Sequence, residues 1–265
     1  DVVCPEGDPW RDQIRAVAWY SLNGWGLCTG TLVNNTSRDG DPYFLTAEHC
    51  GVDPSNGDSL VFYWNYQSSM CGALLGGDPL DTQIGASLVS EWSFDNGSDF
   101  SLLLLEDPPD PTYHVYFSGW DATASVPQRS VAIHHPSTGV KCITLNEDPL
   151  TTRWGTHWLV GAWEHGSTEP GSSGSGLWDP GTGLLVGTLT GGSASCGNPE
   201  GSSWYGRFDL SFTGGGTPDT RLSDWLDPLG TGAIALGGME QPSGGVVFTD
   251  GFETANTTSW SITLP

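Results

Sequence analysis

Residues 169–176 read Glu-Pro-Gly-Ser-Ser-Gly-Ser-Gly and stand directly before the apolar pair Leu177-Trp178. A run so rich in Gly and Ser is typical of a tight turn between strands. It also carries a hydroxyl flanked by glycines, where backbone N–H groups can face a ligand without crowding from side chains. Alone the run predicts only a turn, so its meaning depends on the rest of the chain.

Two other positions complete a pattern in the chain order His, Asp, Ser. His49 ends one apolar run and is followed by a cysteine, and Asp99 opens another. A serine hydroxyl becomes a good nucleophile when an imidazole takes its proton, and a buried carboxylate orients that imidazole. We therefore predict His49, Asp99 and Ser173 as a catalytic triad, with the N–H groups of Gly171 and Ser173 as its oxyanion hole. The esterase-type α/β hydrolases need the order Ser, Asp, His, so they are excluded.

Charge restricts the partners of the chain. Its 265 residues include 31 acidic and 8 basic side chains, for a net charge of −23. This charge excludes a nucleic-acid binder and disfavours binding to anionic membranes, and no apolar run approaches a membrane span. We expect a monomer. No metal or cofactor is predicted, and the adjacent histidines His134 and His135 are interpreted as structural.

Apolar patterning predicts an all-β protein. Short β-rich runs alternate with Gly, Asn, Asp and Pro clusters at the spacing of a barrel or sandwich. One short helix is predicted at 220–226, and residues 237–265 are interpreted as a linker and tail. The predicted strands are 14–20, 30–33, 43–46, 59–64, 100–105, 131–134, 156–160 and 183–189.

The triad segments resemble the chymotrypsin-like serine proteases, and most closely the bacterial lysyl endopeptidases. Further resembling stretches are 1–8, 31–36, 63–67, 133–136, 168–175 and 221–228. The resemblance covers residues 1 to about 233. It implies a double six-stranded antiparallel β-barrel over residues 1–236, with the boundary between its halves at roughly 107–130. Pancreatic enzymes of this class carry Asp where this chain has Ser172, so their ion-pair activation is not expected here.

Six cysteines and no CxxC pair indicate disulfides and therefore secretion. The resemblance implies the pairs Cys4–Cys71 and Cys28–Cys50. Cys142 and Cys196 remain and are paired by elimination.

Substrate selection is where the chain departs from the lysyl enzymes. The resemblance places the S1 pocket, which receives the residue before the scissile bond (P1), at Glu169, Thr190, Gly191, Gly192, Ser203 and Trp154. The lysyl enzymes carry an acidic residue at the position of Ser203 and a histidine, stacked on a tryptophan, at that of Thr190. Without that carboxylate we expect a secreted serine endopeptidase with relaxed P1 preference.

Two alternatives remain open. Glu169, or Glu200 on a neighbouring loop, could supply the anion of a strict lysyl or arginyl endopeptidase. A second alternative is an inactive protease-like binding module, although every triad position is occupied by the required residue type.

Overall fold

The computed structural model describes residues 1–73 and 76–242. It consists mainly of two curled antiparallel sheets, with one short helix before the first sheet and two more within residues 208–226. The predicted all-β, double-barrel class is confirmed. The part of the tail at 243–265 lies outside the described residues, so the prediction for that segment stays untested.

The first sheet holds seven strands in the order β5-β4-β1-β2-β3-β7-β6. Helix α1 (Arg11–Ala16) leads into it. Its strands are β1 (Val17–Leu22), β2 (Trp25–Val33), β3 (Tyr43–Thr46), β4 (Leu60–Tyr63), β5 (Thr82–Ile84), β6 (Ala86–Trp92) and β7 (Phe100–Leu105).

The second sheet holds nine strands, with β11-β10-β14-β15-β16-β13-β12 as its main path; β9 pairs with β15, and β17 pairs with β9. A separate pair joins β8 to β18, which lies within the predicted linker. The strands are β8 (Tyr116–Phe117), β9 (Trp120–Asp121), β10 (Ser130–His134), β11 (Cys142–Asn146), β12 (Thr151–Arg153), β13 (His157–Val160), β14 (Gly176–Asp179), β15 (Leu184–Gly192), β16 (Ser203–Arg207), β17 (Ala235–Leu236) and β18 (Met239–Glu240).

Two helices follow β16, namely α2 (Phe208–Thr213) and α3 (Ser223–Leu226). Helix α3 lies within the helix predicted at 220–226, whereas α2 was not predicted. Six segments form 3₁₀ turns: Pro5–Trp10, Glu48–Cys50, Gly57–Ser59, Pro111–Tyr113, Pro136–Thr138 and Pro218–Thr220. None of the helices in the described ranges is long and apolar enough to cross a membrane.

The predicted strand at 14–20 is wrong at its start. Residues 14–16 finish helix α1, and the strand begins only at Val17. Ile14 and Ala16 are both buried, so the apolar run continues across the boundary between helix and strand. A short buried run of this kind does not distinguish the two conformations by its periodicity.

Each sheet curls around a core of its own. Tyr20, Phe44, Phe62 and Trp64 are fully buried in the first, and Trp158, Leu177 and Tyr205 lie in the second. A third cluster joins the two sheets through residues such as Leu45, Phe100, Trp120, Trp178 and Phe208. The predicted triad residues lie on loops next to this junction. His49 follows β3, Asp99 directly precedes β7, and Ser173 lies shortly before β14.

Candidate active site

His49 and Asp99 are joined by two hydrogen bonds. Nδ1 of His49 lies 2.7 Å from Oδ2 of Asp99, and the His49 backbone N–H donates to Oδ1 over 3.0 Å. Asp99 is fully buried, whereas 36% of the His49 side chain is exposed. The carboxylate therefore fixes both the backbone and the ring of His49, and leaves the other face of the imidazole open to a ligand.

The backbone at Asp99 adopts the left-handed conformation, with φ of 57°. Such a conformation is uncommon outside glycine but is tolerated by Asp, whose short polar side chain bonds locally. It occurs at the residue before β7, where it turns the carboxylate toward the His49 loop.

Ser173 lies in a tight turn that precedes β14. Within it, the Ser172 N–H donates to the Glu169 carbonyl over 3.0 Å, and the Ser175 N–H donates to the Ser172 carbonyl over 3.0 Å. Gly174 has φ of +80°, and a Cβ at that position would collide with Thr46 Oγ1. The glycine predicted as part of a catalytic turn is thus required both by its backbone conformation and by close packing.

Strand β2 links the Ser173 turn to the His49 loop. The Thr29 N–H donates to the Ser173 carbonyl over 2.8 Å. The preceding residue, Cys28, forms a disulfide with Cys50, which directly follows His49. Ser173 Oγ makes no hydrogen bond to His49 Nε2 within the described part of the chain. Such catalytic contacts often tighten only when substrate binds.

The predicted oxyanion donors are unbonded. Within the described ranges, neither the Gly171 N–H nor the Ser173 N–H donates to another group of the protein. Gly171 has φ of +93°, and its carbonyl accepts a hydrogen bond from Thr29 Oγ1 over 2.9 Å. Backbone N–H groups held in place and left without a partner are suited to bind a developing negative charge.

Ser172 forms a buried hydrogen-bonded pair with His134. Its Oγ lies 2.7 Å from His134 Nδ1 and accepts a hydrogen bond from the Glu169 N–H over 3.1 Å. Burial lowers the pKa of His134 to about 3, so the ring is neutral at physiological pH. A neutral pair therefore supports the turn at the position where the pancreatic enzymes carry an aspartate.

The floor of the predicted S1 pocket is neutral. Ser203 is fully buried, and its Oγ lies 2.9 Å from Thr168 Oγ1. The same oxygen accepts a hydrogen bond from Trp163 Nε1 over 3.0 Å. A buried ammonium needs a charged partner to offset its desolvation, and these three groups supply none.

Glu169 is engaged at the rim. Its Oε1 accepts a hydrogen bond from the backbone N–H of Cys196 over 2.5 Å. This bond ties the carboxylate to the loop after β15, and within the described ranges the carboxylate makes no hydrogen bond to Ser203.

The structure contains two of the three predicted disulfides, Cys4–Cys71 and Cys28–Cys50. The third is not formed, because Cys142 and Cys196 are both free thiols. The Cys142 thiol contacts the Val140 carbonyl over 3.4 Å, and the exposed Cys196 is held through its backbone by Glu169. Pairing by elimination assumed that every cysteine is bonded, which does not hold in this structure.

Thr190 and Trp154, both predicted near S1, are linked by His157, for which no functional role is predicted from the sequence. His157 Nε2 lies 3.0 Å from Thr190 Oγ1, and its ring packs edge-on against Trp154 with centroids 5.7 Å apart. Burial lowers the pKa of His157 to about 4, so it is neutral. The pairing of β13 and β15 with β16 brings these residues together, and the sequence pattern did not reveal it.

Gly191 and Gly192 end strand β15 beside the pocket. A Cβ on Gly192 would collide with the Ser202 carbonyl, and one on Gly191 would lie 3.5 Å from Trp204 Nε1. Close packing against β16 therefore excludes a side chain at Gly192, whereas a Cβ at Gly191 would make only an ordinary contact.

One group of possible metal-ligating atoms occurs in the described ranges, formed by His49, Cys28 and Cys50. The two sulfurs are joined as a disulfide, so they are not available as thiolate ligands.

Comparison with known proteins places the chain in a family. Residues 1–206 match the family model of the lysyl endopeptidase C-terminal domain. The lysyl endopeptidase of Pseudomonas aeruginosa is 30% identical over 183 residues, which are 65% of this chain and 38% of that relative. The match therefore spans less than half of the length of that curated relative.

Solved structures agree on the fold. Human heparin binding protein superposes with a TM-score of 0.53 at 17% identity, covering 75% of this chain and 88% of its own. A mutant of the same human protein gives 0.55 at 18% identity, covering 84% and 95%. At this identity the likeness shows the chymotrypsin-like fold alone. The family match, which covers more than half of the chain, shows that the chain belongs to the lysyl endopeptidase family.

Proposed function

We propose that this protein is a secreted, monomeric serine endopeptidase that hydrolyses peptide bonds through His49, Asp99 and Ser173. The observation that carries the proposal is the 2.7 Å contact between His49 Nδ1 and the fully buried Asp99 carboxylate. That contact fixes the ring with Nε2 free to accept a proton. Family membership and two disulfides also support it, because disulfides persist in oxidising compartments.

The mechanism follows from the positions of these groups. Nε2 of His49 takes the proton of Ser173 Oγ as the oxygen attacks the scissile carbonyl. The imidazolium is stabilised by Asp99, and the oxyanion accepts hydrogen bonds from the N–H groups of Gly171 and Ser173. His49 then protonates the leaving amine, and a water molecule hydrolyses the acyl-enzyme by the same route.

The proposed specificity is relaxed at P1, with Lys and Arg tolerated but not required. The buried hydroxyls of Ser203 and Thr168 bond each other, and no carboxylate contacts them within the described ranges. Digestion of a denatured proteome tests this proposal, with the P1 residues identified by mass spectrometry. We expect cleavage after several residue types, and cleavage almost only after Lys or Arg would contradict it.

A second candidate is a strict lysyl or arginyl endopeptidase that uses Glu169 as its S1 anion. The name of the curated relative favours this candidate, and the contact of Glu169 with Cys196 disfavours it. In the same digestion, Glu169→Gln separates the two, because only the second candidate loses its selectivity. An inactive binding module is distinguished by its failure to react with a fluorophosphonate probe.

A further inference from the structure

Arg153 is clamped between two tryptophans beside the candidate active site. Its guanidinium carbon lies 4.2 Å from the ring centroid of Trp154 and 4.4 Å from that of Trp204. Arg153 ends strand β12, and Trp154 begins the turn to β13 with φ of 53°. Stacking on two indole faces orders the long side chain before any ligand arrives, which lowers the entropy cost of binding.

The charge of Arg153 has no partner in the described part of the chain. Its side chain makes no ion pair or hydrogen bond there, and its Nε is buried without an acceptor. This is unusual in a chain with 31 acidic side chains. Most other arginines are neutralised, in the pairs Arg11–Asp8, Arg15–Glu240, Arg129–Glu147, Arg207–Asp209 and Arg221–Asp224.

The clamp lies on the side of the S1 pocket where β15 ends. Trp204 follows Ser203 in β16, so the two side chains point to opposite faces of the sheet. Ser203 faces the pocket floor, whereas the indole of Trp204 lies alongside Gly191. On the side away from β16, residues 191–192 of β15 have no strand partner within the described ranges, so an extended peptide can pair there. We place the peptide residues upstream of the scissile bond along this edge, past Gly191.

The loop that leads into Asp99 closes the other side. Phe94 packs edge-on against Trp154 with centroids 5.4 Å apart. A cavity of about 510 Å³ opens between this loop and the turn after Arg153. Asp95 lines this cavity and Arg153 does not, so an anionic ligand would have to bind outside it, at the guanidinium.

We propose that Arg153 selects an acidic side chain two to four residues upstream of the scissile bond. The inference rests on the proposed endopeptidase function and adds a substrate class to it. A guanidinium binds a carboxylate with two parallel hydrogen bonds, and its planar group suits a stacked position. A net charge of −23 repels acidic peptides in general, so an acidic residue can be selected only by a cation at short range.

Matched peptides test this proposal. The two peptides of a pair differ only at one upstream position, where one carries Glu and the other Gln. One series of pairs has Leu directly before the scissile bond, and a second series has Lys there. Two measurements are made, kcat/KM with the native chain and Kd with Ser173→Ala. We expect Glu to be favoured over Gln about five- to tenfold at one position, as for a charge-assisted hydrogen bond at a partly exposed site.

Substitutions then identify the residue responsible. Arg153→Met should bring the Glu/Gln ratio to about one, and Arg153→Lys should keep part of the preference. Arg129→Met, which removes an exposed arginine elsewhere, should leave the ratio unchanged. A Glu/Gln ratio near one in the native chain overturns the proposal. So does an equal fall in kcat/KM for the Glu and the Gln peptide in Arg153→Met, because it would indicate a purely structural role.

Two further measurements cover the cases in which no peptide is hydrolysed or Arg153→Met does not fold. If no peptide is hydrolysed, the proposed endopeptidase function fails, while the Kd ratio on Ser173→Ala still decides the role of Arg153. If Arg153→Met does not fold, the Glu/Gln ratio of the native chain is measured at low and high salt. Screening should reduce a preference that comes from charge, and a ratio unaffected by salt contradicts the proposal.

Discussion

The hydroxyl oxygens of Ser203 and Thr168 lie 2.9 Å apart, and both side chains are buried. Ser203→Asp would place a carboxylate on the neutral floor of the pocket. We expect the ratio of kcat/KM for Lys over Leu at P1 to rise at least about tenfold, because a buried ammonium gains a charged partner. Ser203→Asn, which adds a similar volume without charge, is the control. An equal effect of both substitutions would show that this position does not control charge selection.

The pair formed by Ser172 and His134 is expected to support stability and not chemistry. Ser172→Ala leaves His134 Nδ1 and the Glu169 N–H without their partner. Loss of a buried hydrogen-bond partner costs about 1–3 kcal/mol, which denaturant unfolding can measure. Below the unfolding temperature the variant should still react with a fluorophosphonate. Complete loss of reactivity in a folded variant would move the nucleophile to Ser172.

Lys141 should make the stability depend on pH. The side chain is 1% exposed and donates to the Ile14 carbonyl over 2.8 Å. Burial lowers its pKa from 10.5 to about 7. Between these values the unfolded chain holds a proton that the folded chain has released, so the free energy of unfolding rises with pH above 7.

The contribution of Lys141 to the slope of the free energy of unfolding against pH should approach about 1 kcal/mol per pH unit between pH 7 and 9. Chemical denaturation of the native chain and of Lys141→Met across this range isolates the contribution. The difference between them should grow in favour of the native chain as pH rises. Parallel curves would indicate that Lys141 remains charged in the folded protein.

Some features followed from the sequence and others required the folded chain. Gly171 and Gly174 were predictable, because a catalytic turn needs small residues and both adopt positive φ. The contact of His157 with Thr190 was not predictable, because it joins two strands through their common neighbour β16. The same holds for Arg153, whose stacking depends on the register that sets Trp204 beside Gly191.

The cysteines provide an independent test of the structure. After denaturation under non-reducing conditions, two thiols should react with iodoacetamide, those of Cys142 and Cys196. In the native protein the exposed Cys196 should react first, since the Cys142 side chain is half-buried. Peptide mapping assigns the label. A chain without any reactive thiol would restore the third disulfide.

The central claim is that Ser173 is the nucleophile and His49 its base. Reaction with a fluorophosphonate, followed by peptide mapping, tests it most directly. We expect a single label on Ser173 in the native chain and no label in Ser173→Ala. In His49→Ala, labelling should slow by several orders of magnitude while the protein remains folded. A native chain that is folded but unlabelled, or labelled on a different serine, would contradict the account.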